Sequence, residues 1–75
     1  MSLDRIILLL SEIVGVPPEE MDGGTRLTPE YDITAIDIAK LMIEIEKRFK
    51  VTIHDEDVHT FQTLQDVADY VDAIE

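Results

Sequence analysis

Apolar positions recur along the chain with helical spacing in three places. From about Leu3 to Val14, Leu3, Ile6, Ile7, Leu10, Ile13 and Val14 follow the three-four interval of an amphipathic helix. Leu8 and Leu9 widen that face, as in a helix packed between neighbours. Ser2 is placed to cap this helix and Asp4 to complement its dipole, while Gly15, followed by Pro17-Pro18, stops it. From Thr34 to about Lys50 the pattern is double. Ile38, Leu41, Met42, Ile45 and Phe49 form one stripe; Ile36, Ala39 and Ile43 form a second, bordered by Lys40, Glu46 and Lys47. One such face suffices to hold a small bundle together. Periodicity alone leaves open whether the second covers a neighbouring helix or faces a partner. The last helix runs from Thr63, its cap, to Ile74, with Asp66 at the third helical position and Leu64, Val67, Ala68, Val71 and Ile74 facing inward.

Between these helices the pattern breaks. Residues 15 to about 33 form a long connection: Pro17-Pro18-Glu19-Glu20-Met21 suits a single helical turn, Asp22-Gly23-Gly24 an open turn, and Thr28-Pro29-Glu30 the start of another. Met21, Leu27, Tyr31 and Ile33 are its expected anchors, since a connection of this length in a small domain is pinned or functional. Val51-Thr52-Ile53 is β-prone but isolated, hence an extended connector. His54 to His59 reads as a short helix opened by acids, with Phe61 tying it to the core. The expectation is one all-α domain over residues 1–75, a four-helix bundle of three longer helices and one short one with a long first crossover.

Composition sharpens this picture. At 75 residues and without cysteine, the fold relies on aliphatic burial rather than disulfides or thiolate metal sites. The apolar run Ile6–Leu10 is too short to span a bilayer and lacks the basic flank of a signal peptide. A soluble, cytoplasmic, monomeric protein is expected. The formal charge of −11 argues against nucleic acid and favours partners with basic patches. Lys40, Lys47, Arg48 and Lys50 cluster in one window, whereas residues 51–75 carry seven acids and no Lys or Arg.

Catalytic and metal chemistry find little support. His54, Asp55, Asp57 and His59 lie close in sequence, but neither the HExxH spacing nor the ligand order of a calcium loop is present. The serines, Ser2 and Ser11, belong to no visible Ser/His/Asp constellation, and Gly23-Gly24 is a turn rather than a phosphate loop. No metal site and no enzyme activity are expected. A partner-binding module is what the residues leave.

The chain resembles the acyl carrier proteins over essentially its whole length. The likeness runs through Gly15-Val16, the loop with Leu27, Leu41 through Phe49, Ile53 with Asp55-Glu56-Asp57, the Thr63 cap and Asp69-Tyr70-Val71. In that family the central helix opens with Asp-Ser-Leu or a near variant, and the serine bears 4′-phosphopantetheine, whose thiol carries acyl or aminoacyl groups. The resemblance places Thr34 at the aspartate position, Ala35 at the serine position and Ile36 at the leucine position, with Asp37 matching the acid that often follows. It implies that Ala35 cannot accept the cofactor: none in this chain, phosphopantetheine only if a serine stood at position 35. Deliberate replacement of the serine and natural loss both remain open as its origin. The resemblance also implies a docking surface of Ile36, Asp37, Ala39, Lys40, Ile43, Glu44 and Lys47 for carrier-dependent transferases, ligases or synthases. Lys40 and Lys47 interrupt the usual acidic pattern, which suggests a dedicated partner set. Leu41, Ile45, Ile53, Phe61 and Val67 would line the acyl shelter. A non-carrier adaptor or regulator that keeps the fold and the docking helix is the alternative.

Overall fold

The computed structural model describes residues 2–28 and 33–74. Among them four α-helices follow in order: α1 (Leu3–Val14), α2 (Ala35–Phe49), the single-turn α3 (Asp55–Val58) and α4 (Leu64–Ile74), with a 3-10 turn at Pro18–Glu20. α1 packs against α2, α4 and the 3-10 turn. Ile6 and Leu10 of α1, Leu41 and Ile45 of α2, and Leu64, Val67 and Val71 of α4 are fully buried between them. The all-α bundle expected from periodicity is therefore what forms, and aliphatic burial is its main stabilisation.

Local chemistry sets most helix ends. Gly15 takes the left-handed conformation (φ 76°) and its amide returns to the Ser11 carbonyl at 2.8 Å, ending α1. α4 starts on a reciprocal pair: Asp66 accepts the Thr63 amide at 3.1 Å, and its own amide donates to the Thr63 hydroxyl at 3.3 Å. α2 ends differently. Lys50 occupies the left-handed region (φ 56°), a conformation that glycine adopts at lower cost.

Four expectations need correction. Ser2 does not cap α1; its amide and hydroxyl both donate to Asp72 of α4, clasping the two ends of the chain. Leu8 does not widen the buried face and is 55% exposed. It lies about 200° around the helix from both Ile6 and Leu10. Ile74, expected to face inward, is 42% exposed at the fraying end of α4. The short helix is limited to Asp55–Val58, with Thr60 and Phe61 amides bonding back to Asp57 and Val58 carbonyls as turns.

The crossover is held by more than side-chain anchors. Leu27 and Ile33 are buried and Met21 half-buried, as expected, while Tyr31 and most of Thr28-Pro29-Glu30 lie outside the described residues. In addition, Arg26 pairs antiparallel with Thr63. The Leu27 amide donates to the Gln62 carbonyl at 2.9 Å, Leu64 to Thr25 at 3.1 Å and Gln65 to Gly23 at 2.9 Å. The crossover thereby satisfies amides at the start of α4 that no helical carbonyl can reach. Val51-Thr52-Ile53 joins neither a helix nor a strand; the buried Ile53 is fixed by its amide donating to Glu46 at 2.9 Å.

Candidate functional site

The site is built on α2. Thr34, extended at φ −91°, ψ 168°, caps the helix: its hydroxyl accepts the Asp37 amide at 3.2 Å, and Asp37 accepts the Thr34 amide at 3.1 Å. This is a capping box with Asp in place of Glu. Ala35 is the first helical residue and is exposed. Its side chain ends in a methyl group, and the adjacent hydroxyl of Thr34 is committed to the cap.

From Ala35 the second stripe continues outward. Ile36 is 68% exposed, Ile43 is 51% exposed, and Ala39 between them is exposed as well. Among the described residues this stripe is left largely uncovered by any neighbouring helix. Exposed apolar side chains in a row are the usual mark of a contact surface. Lys40 and Lys47 border the stripe in solvent, and half-buried Glu44 meets Lys47 at 3.8 Å and Arg48 at 3.5 Å. Such surface pairs add little stability but set the charge pattern a partner meets.

Beside the stripe lies a cleft of about 660 Å³. Ala35, Ile38, Ala39, Met42, Ile43 and Glu46 of α2 form one wall, facing Leu27, Ile53, Asp55, Val58, His59 and Phe61. Of the five residues assigned to an acyl shelter, Ile53 and Phe61 line this cleft. Leu41, Ile45 and Val67 do not; each is fully buried in the core between α1, α2 and α4. Two of the α2 residues that line it instead, Ile38 and Met42, stand four apart along the edge of the first stripe nearest the second. That edge is the signal by which they could have been found.

Phe61 and α3 are braced from behind. The Tyr70 ring meets Phe61 edge-on with centroids 5.2 Å apart, and its hydroxyl donates to Asp57 at 2.7 Å. Donation to that carboxylate raises the Tyr70 pKa above its ordinary value. Asp57 is therefore engaged in the fold. Among the described residues no three His, Asp or Glu side chains converge as metal ligands, and no helix is long and apolar enough to cross a membrane.

The family model described as "Phosphopantetheine attachment site" matches residues 4–71. Relatives include the acyl carrier proteins of Kocuria rhizophila and Micrococcus luteus, each 32% identical over 95% of this chain and 93% of the relative. The acyl carrier protein of Bdellovibrio bacteriovorus is 30% identical over 85% of this chain and 82% of its own length. The chain belongs to the acyl carrier protein family, non-catalytic carriers of phosphopantetheine-linked groups that serve carrier-dependent enzymes.

Proposed function

We propose that this chain is a carrier-fold module whose attachment position is Ala35, so that it meets carrier-dependent enzymes without a covalently held cargo. The observation that carries this reading is the opening of α2: Ala35 stands between the two halves of a capping box, where the family's attachment serine would stand. Phosphopantetheine does not fit there. A phosphodiester needs an oxygen at position 35, and a methyl offers none. The Thr34 hydroxyl is a poor substitute, because it is bonded to Asp37 on both its donor and acceptor sides.

The docking surface is Ile36, Ala39 and Ile43, fringed by Asp37, Lys40, Glu44 and Lys47. Its support is the exposure of those three apolar side chains on a helix that has a separate face for the core. The partners are transferases, ligases or synthases whose patches complement mixed charge, since Lys40 and Lys47 stand among the acids. The second reading is an adaptor or regulator that retains the fold and the docking helix, favoured by Thr34 where the family has aspartate. Intact-mass measurement after incubation with coenzyme A and a broad-specificity phosphopantetheinyl transferase separates the two. The carrier reading requires that the Ala35→Ser variant gain the phosphopantetheine mass; failure of that variant leaves the adaptor.

A further inference from the structure

We infer that the groove where α1 meets the end of α2 is a second docking surface, which takes an acidic amphipathic segment of a partner protein by a carboxylate and a neighbouring aliphatic side chain. Arg5, Leu8 and Glu12 follow one another at three and four residues, as one row of α1. They line the groove together with Leu9 and with Arg48 and Phe49 of α2. This surface is separate from the stripe of Ile36, Ala39 and Ile43, since Arg48 lies about 140° around α2 from Ile43. It does not depend on what position 35 carries.

Arg5 selects the charge of the occupant. Its guanidinium lies over the Phe49 ring, 4.1 Å from the centroid. That contact fixes the cation without consuming its N–H donors, which suit a carboxylate two at a time. Among the described residues Arg5 joins no ion pair, in a chain with seventeen acids. Arg48 adds a second guanidinium, engaged by a 3.5 Å surface pair with Glu44 that costs little to exchange. Glu12 stands two turns from Arg5, ~10 Å along α1, and repels a carboxylate at its own end. The partner's acid is therefore set at the Arg5 end.

The floor of the groove supplies the apolar contact. A lone exposed leucine needs no explanation. Leu8, however, is 55% exposed beside buried Leu9 and half-buried Phe49, around a cavity of about 230 Å³. That is smaller than the pockets that enclose a small ligand, so it suits a side chain of something larger.

The test is titration of the isotope-labelled native chain with an acetylated, amidated helical peptide bearing leucine and glutamate on one face, at about 0.15 M sodium chloride. The control peptide has glutamine for glutamate. Saturable amide shifts at Leu8, Leu9, Arg48 and Phe49 are expected, with the glutamate peptide bound about tenfold more tightly. Arg5→Gln should bring the two peptides to within about threefold of each other. Leu8→Glu, a change at an exposed position, should abolish the shifts while the melting temperature stays within about 4 °C of the native value. Absence of saturation, equal binding of the two peptides, shifts centred on Ile36, Ala39 and Ile43, or binding to phosphatidylglycerol vesicles in place of the peptide would overturn the inference.

Discussion

Thr34 and Asp37 hold each other across the first turn of α2: the Thr34 hydroxyl donates to Asp37 Oδ2 at 3.0 Å while accepting the Asp37 amide at 3.2 Å. The same carboxylate oxygen accepts the Thr34 amide at 3.1 Å. The helix start is therefore complete without any contribution from residue 35. On the function proposed above, folding and attachment are separable at this turn, because the cap pair does not draw on the Ala35 side chain.

Loss of the cap should cost stability. Thr34→Val removes both hydroxyl interactions and is expected to destabilise by about 1 kcal/mol. In a domain of this size that lowers the melting temperature by about 4–8 °C. Because the two residues act as one unit, Thr34→Val and Asp37→Ala together should cost less than the sum of the single changes, as read from a thermal double-mutant cycle.

The end of the same helix offers the opposite change. Lys50 holds a left-handed conformation at φ 56°, ψ 45°, which costs a residue with a Cβ about 1 kcal/mol. Lys50→Gly should therefore raise the denaturation midpoint despite the added flexibility of the unfolded chain. An unchanged or lower midpoint would mean that the Lys50 side chain contributes more than its backbone costs.

Acid should undo the start of α4. The Gln62 and Thr63 amides donate to the Asp66 carboxylate and lower its pKa below the ordinary 3.8. A carboxyl group with a depressed folded-state pKa contributes stability above its unfolded pKa, and that contribution disappears as pH falls through the folded value. Melting temperature measured against pH should show Asp66→Asn less stable than the native chain at neutral pH. The two curves should converge below pH 3.8. Parallel curves throughout that range would remove Asp66 from the acid transition.

The charge excess should also be visible in melting. Seventeen acids against six bases repel one another in the compact state. Raising sodium chloride from about 10 mM to about 0.5 M shortens the screening length several-fold. The melting temperature is expected to rise by several degrees, and a flat or falling response would contradict self-repulsion as a significant cost.

These effects show which parts of the molecule were legible in one dimension. α1, α2 and α4 were legible because periodic burial and local caps coincide in sequence: Gly15, Thr34–Asp37 and Thr63–Asp66 all act within four residues. The Ser2–Asp72 clasp and the Arg26–Thr63 pairing join distant segments through groups whose partners no local pattern reveals. Leu8 and Ile74 were misjudged because hydrophobicity alone does not say which side of a helix meets a neighbour. At the site, the stripe of Ile36, Ala39 and Ile43 could be drawn from spacing, but its exposure could not. The cleft was harder still. Leu41, Ile45 and Val67 have the composition of a pocket wall, and only the packing of α1 and α4 assigns them to the core.

The most direct test is the intact mass of the native chain and of Ala35→Ser after parallel incubation with coenzyme A and a broad-specificity phosphopantetheinyl transferase. The native chain should leave the reaction at its starting mass, and the serine variant should gain one phosphopantetheine group. A gain on the native chain would contradict Ala35 as the attachment position, and a serine variant left unmodified would contradict the carrier reading.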